Sequence, residues 1–118
     1  MTCENRIQEL KQYISEIDVG TAYAMQKDGA IIIDVRTLAE YEQSHIQNSV
    51  YLGRDFLEFK IEEVVPNKKS KVIMACGGGF RSLFAAESLI ALGYNQVYNM
   101  QGGFKAWHAS NLPITEHE

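Results

Sequence analysis

Apolar positions recur along this chain with a period that changes from block to block. From residue 4 to 16, "ENRIQELKQYISE", Ile7, Leu10 and Ile14, with Ile17 just beyond, recur at spacings of three and four. That single stripe predicts an amphipathic helix. Residues 20–27 predict a second, short helix, with Asp18 placed to cap it and Asp28-Gly29 to end it. "AIIIDVR" then breaks the period: three consecutive isoleucines and Val35 predict a strand buried on both faces, as in a parallel sheet. "SVYLG", "KVIMAC" and "QVYNM" are three more short apolar runs, separated by helical patterns at 38–44, 55–64, 81–92 and 103–110. Strands alternating with helices imply an α/β domain with a mainly parallel sheet.

A chain of 118 residues is long enough for one core without disulfides or metals. Fifteen acidic against eleven basic residues leave a net charge of −4, and the densest basic spot, Asn67 to Lys71, reads as a solvated turn. A nucleic-acid partner needs clustered Lys and Arg, so none is expected. No apolar run approaches the roughly 18 residues of a membrane span, and "MTCENRIQEL" lacks the apolar centre of a signal peptide. The expectation is a cytoplasmic protein with no membrane partner. Two cysteines, Cys3 and Cys76, are too few for a disulfide framework, and His45, His108 and His117 are scattered without metal-ligand spacing. No metal and no cofactor are expected.

The candidate chemistry lies in "VIMACGGGFRSLFAAESLIALG", residues 72–93. Cys76 directly follows an apolar strand, and in an open parallel sheet ligands bind beyond the carboxyl ends of the strands. Gly77, Gly78 and Gly79 let the backbone curl and aim its N–H groups inward. The helix beginning near Arg81 adds free N–H groups and the positive end of its dipole, and Arg81 adds a permanent charge. Together they form a cup for an anion with sulfur at its base, an environment that favours the thiolate. A buried, inert cysteine beside a flexible turn is the plainer reading of Cys76 alone; the whole constellation favours the cup.

Cysteine-type phosphatases place five residues between Cys and Arg, whereas here four, Gly77 to Phe80, separate Cys76 from Arg81. The shorter loop resembles the six-residue active loop of the rhodanese sulfurtransferases. "IIIDVRTLAEYEQSHIQNSVYL" is similar to the rhodanese stretch carried here by Asp34, Val35, Arg36, Glu40, Tyr41, His45 and Ile46. "NMQGGFKAWHASNLPI" resembles the family's closing motif through Gly102, Gly103, Phe104, Ala106, Trp107 and Pro113. Ser44 and Asn48 stand where the family usually has glycine, and Phe104 where it usually has tryptophan; Asn tolerates left-handed backbone. The likeness covers about residues 16–115.

The resemblance implies a rhodanese-like α/β fold with a mainly parallel sheet of about five strands flanked by helices on both faces. Residues 1–15 are then an N-terminal amphipathic helix extension, and 16–118 the domain proper. It also implies a sulfurtransferase in which Cys76 takes a sulfane sulfur from thiosulfate, polysulfide or a protein persulfide, holds it as a persulfide, and passes it to a thiol or cyanide. Gly77, Gly78, Gly79, Phe80, Arg81 and Ser82 would bind the donor, with Phe80 lining the mouth and Ser82 capping the helix or donating to the site. Arg81 pairing with a carboxylate to hold its helix is the alternative for that residue. Asp34 and Arg36 would brace the loop, paired with each other or with Glu40 and Glu42. His45 is assigned to a structural turn, and Trp107 and Phe104 to the core. The expected partners are a small sulfur-donor anion and a thiol acceptor, with a protein acceptor as a further candidate, and the chain a monomer or homodimer. Two other readings stand beside this one: a non-catalytic sulfur carrier serving a protein partner, and a phosphatase or arsenate reductase, which the short loop disfavours.

Overall fold

The computed structural model describes residues 2–117. In chain order the elements are α1 (Cys3–Tyr13), β1 (Ser15–Ile17), α2 (Val19–Lys27), β2 (Ile31–Asp34), α3 (Leu38–Gln43), β3 (Ser44–Ile46) and β4 (Val50–Tyr51). A 3-10 turn at Arg54–Phe56 leads into α4 (Leu57–Val64), followed by β5 (Val72–Ala75), α5 (Arg81–Ala91), β6 (Val97–Met100), α6 (Gly103–Ala109) and β7 (Ile114–Glu116). Five strands form one sheet in the order β1-β6-β5-β2-β4, every neighbouring pair parallel. Parallel neighbours need long crossovers, which the helices supply.

Alternate residues of the central strands serve opposite layers, which is why their sequences show no polar face. Ile33, Val35, Val72 and Met74 pack with Leu10, Leu57, Ile61, Leu83 and Leu89 beneath α1, α4 and α5. Ile32, Ile73 and Ala75 join Ala22, Met100 and Trp107 beneath α2 and α6. Helices thus cover both faces. Among the described residues no helix is long and apolar enough to cross a membrane.

Local signals set several boundaries. Asp18 caps α2 by accepting from the Thr21 N–H at 2.7 Å. Thr37 and Glu40 form a reciprocal capping box at the start of α3. Asn48 takes the left-handed backbone at φ 65°.

The N-terminal stripe is divided where a single helix was expected. The helix stops at Tyr13, Ile14 is extended at φ −104° and ψ 134°, and Ser15–Ile17 pairs with Tyr98–Met100 as strand β1. Ile14 enters the layer under α5 while Ile17 packs on the opposite layer, so the apparent stripe serves both faces of the sheet. Pairing with β6 satisfies the backbone that a longer helix would have paired internally, and β-branched residues favour that outcome. Cys3 is the first residue of α1, behind the cap of Thr2, and is exposed. Strands β3 and β7 form a separate antiparallel pair, His45 opposite Thr115, too short to carry a readable period.

Leu10 is 1% exposed and holds α1 to α5, where Arg6 also pairs with Glu87. Leu10→Ala is therefore expected to destabilise the fold by about 2–4 kcal/mol. Urea unfolding followed by fluorescence measures it; a loss below about 1 kcal/mol would mean that α1 contributes little to the core.

Candidate active site

Strand β5 delivers Cys76 to the carboxyl edge of the sheet, beside Asp34, whose strand pairs Asp34 with Ala75. The chain then turns through three glycines, with Gly79 at φ 94°, and enters α5 at Arg81. The sulfur of Cys76 accepts from the N–H of Gly79 at 3.2 Å, from the N–H of Ser82 at 3.3 Å, and lies 3.3 Å from the Ser82 hydroxyl. Phe80 occupies the cap position of α5 and supplies no side-chain bond. Sulfur takes the place of a capping oxygen, receiving an N–H that the first helical turn leaves free. Ser82 does not cap the helix; it lies inside the first turn with its hydroxyl aimed at the site.

The carbonyls of the same loop point the other way, toward a second helix. The N–H of Phe104 donates to the Cys76 oxygen at 2.7 Å, and that of Lys105 to the Gly77 oxygen at 3.1 Å. This approach requires glycine at 103: its φ is 61°, and a Cβ there would stand 2.4 Å from the Cys76 oxygen. The Gly102-Gly103 pair of the closing motif is thus the seat on which the cysteine loop rests.

Behind the sulfur stands a residue that sequence reasoning missed. Asn99, fully buried in β6, accepts from the Ser82 hydroxyl at 2.5 Å and donates through Nδ2 to the Gly79 carbonyl and to Glu16, each at 3.0 Å. The Ser82 hydroxyl thus stands between the Asn99 amide oxygen and the Cys76 sulfur. Asn99 therefore orients two of the groups that meet Cys76. Its signal was present in "QVYNM": an amide inside a buried strand must find partners, or its burial is penalised.

Arg81 does not stand free in the cup. Its two terminal nitrogens meet the two oxygens of Glu40 at 2.9 and 3.2 Å. Hydrogen bonding to Arg81, with further help from Thr37, holds the Glu40 carboxyl down to about 2, and Glu40 in turn raises the Arg81 guanidinium above its ordinary value. Asp34 and Arg36 pair with each other rather than with Glu40 or Glu42. Arg36 Nε lies 3.0 Å from both Asp34 oxygens, Nη2 is 2.9 Å from Oδ2, and Nη2 also donates to the Ser44 carbonyl at 2.7 Å. The guanidinium lies over the Phe104 ring at 4.5 Å, so the buried pair touches the helix that seats the loop.

The remaining candidates separate. Gly77 and Gly78 form the outer turn, and Phe80, 50% exposed, lies near the Lys11 ammonium. His45 stacks on Tyr41 at 3.8 Å and bonds its carbonyl through Nδ1, in strand β3. Trp107 is core and donates to the Pro113 carbonyl at 2.8 Å, whereas Phe104 is only half-buried beneath Arg36.

Residues 18–110 match the rhodanese-like domain. The thiosulfate sulfurtransferase GlpE of Vibrio cholerae is 33% identical over 99 residues, spanning 83% of this chain and 92% of the relative. That of Haemophilus influenzae is 34% identical over 100 residues, spanning 84% and 92%. Among solved structures, a Rhodopseudomonas palustris protein of unknown function, described as a possible tyrosine phosphatase, superposes with a TM-score of 0.89. Its identity is 28%, and the match covers 98% of this chain and 95% of the other.

Proposed function

The chain belongs to the rhodanese-like domain family, and from that premise we propose that it is a sulfurtransferase carrying a sulfane sulfur on Cys76 as a persulfide. The observation that carries this reading is the ring of donors from Gly79 and Ser82 around the Cys76 sulfur. With thiosulfate, the Cys76 thiolate attacks the terminal sulfur. A sulfur–sulfur bond forms at Cys76, the bond to the sulfonyl sulfur breaks, and its electron pair leaves with sulfite. A cyanide or thiolate acceptor then attacks the outer sulfur, and the electron pair of the breaking bond returns to Cys76. Both half-reactions move negative charge between sulfur atoms, and N–H groups fixed before the reaction stabilise it without reorganising. Cys76 is buried, 1% exposed, so a persulfide, longer by one bond of about 2 Å, brings the transferable atom nearer the mouth.

Residues 16–118 form the catalytic domain in this reading, with 1–15 as its extension. Two free cysteines and a thiolate-dependent reaction suit the reducing cytoplasm. A second reading, sulfur delivery to a protein partner, is favoured by the exposed side chains of Leu38, Phe56 and Phe80. The phosphatase reading has against it the four-residue spacing from Cys76 to Arg81 and the engagement of Arg81 with Glu40.

Intact mass after incubation with thiosulfate, and separately with polysulfide, tests the proposal. One added sulfur atom, removed again by cyanide, is the expected result. A chain that stays unmodified with both donors, or that hydrolyses an aryl phosphate through Cys76, would overturn it. Rapid sulfur loading with negligible turnover on cyanide or small thiols would favour delivery to a protein.

A further inference from the structure

The cation of the active loop shares its place with an anion. Arg81 is the basic side chain of residues 76–82, and both of its terminal nitrogens are engaged by Glu40 in a parallel fork, the geometry that gives such pairs their directionality. Glu40 is fixed from its other side as well: the Thr37 backbone N–H and hydroxyl both donate to its Oε1, each at 3.0 Å. It is ionised throughout the physiological range. The distance to the chemistry is short. The Arg81 nitrogen that meets Glu40 Oε2 is also the atom that would stand 3.0 Å from a Cβ on Gly77. The carboxylate therefore lies one guanidinium's width from the residue next to Cys76.

Resting on the sulfurtransferase reading above, we propose that Glu40 sets the charge preference of the site, favouring sulfane donors with one negative charge over those with two. Paired with Glu40, Arg81 offers directed N–H groups but little net positive field. The first charge of a donor is met by the loop N–H groups. A second charge reaches a mouth whose cation is already neutralised and meets the Glu40 carboxylate within a few ångströms, where screening by salt is incomplete. Arg81 and Glu40 are half-exposed, which keeps the discrimination moderate.

Thiosulfate and methanethiosulfonate present the same terminal sulfur and differ by one oxyanion replaced with methyl, so their ratio of kcat/KM isolates the second charge. With cyanide as acceptor at low ionic strength, the native protein is expected to favour the monoanion. Glu40→Gln is expected to shift the ratio toward thiosulfate by about tenfold, and the shift should shrink in high salt. Glutamine retains the capping box, so α3 stays in place. Equal losses for both donors in Glu40→Gln would make Glu40 only a clamp for Arg81, and unchanged rates for both would make it a bystander. Either result overturns the proposal while leaving sulfur transfer intact, whereas a native protein that transfers from neither donor would overturn the underlying reading as well.

Discussion

Cys76→Ser is expected to lower sulfur transfer by at least about three decades, because the nucleophile and the carrier are the same atom. Serine is smaller and can accept the same N–H groups of Gly79 and Ser82, so the loop and the fold should survive. A hydroxyl cannot hold a sulfane sulfur as a persulfide, and near neutral pH it is a far poorer nucleophile than a thiolate. Thiocyanate release from thiosulfate or methanethiosulfonate with cyanide measures the loss, and the unfolding midpoint checks that the variant is folded. Cys3→Ser provides the control, since Cys3 lies exposed in the first turn of α1 and its loss should leave turnover unchanged. A Cys76→Ser protein that keeps about a tenth of native turnover would place the chemistry on another group.

Asp34→Ala should give the largest loss of stability, about 3–5 kcal/mol. Asp34 and Arg36 are 1% and 5% exposed, and the carboxylate receives the Arg36 backbone N–H as well as its guanidinium. Truncating Asp34 leaves a permanent charge in the interior with the Ser44 carbonyl and the Phe104 ring for company. That uncompensated charge, rather than the worth of the pair, dominates the effect. Replacing both residues together, Asp34→Leu with Arg36→Met, should recover much of the loss, because an apolar pair of similar volume carries no desolvation penalty. Urea denaturation of the two variants measures both; a single variant within about 1 kcal/mol of native would show that the guanidinium finds water or another partner.

What could be read from the sequence was what short-range chemistry encodes. Ile31 to Asp34 and Val72 to Ala75 read as doubly buried strands because alternate residues feed two apolar layers. Asp18 read as a cap because capping spans three residues. The cysteine loop was legible as a whole, since sulfur, glycines and the helix start are contiguous. The features that escaped are made by groups far apart in the chain. Glu40 meets Arg81 across 41 positions and Ser82 meets Asn99 across 17; an amide in an apolar strand signals that it needs a partner, but no local pattern names which one. Strand β1 escaped for a related reason: a helical spacing of isoleucines also satisfies a helix end followed by a strand that contributes to both layers. Only the presence of β6 beside it decides between them.

The outer strands of the sheet bear on how the protein behaves when concentrated. On one side the sheet ends in β1, of three residues, and on the other in β4, of two. A strand with an unpaired ladder is a template on which another chain can extend the sheet, and its hazard grows with its length. Here either template is exhausted after two or three residues, too few for a lasting strand-to-strand graft. Parallel sheets form slowly and expose such ladders while they form. Brevity at both borders therefore protects the chain against aggregation by strand addition, leaving the exposed side chains around the mouth as its stickier surface.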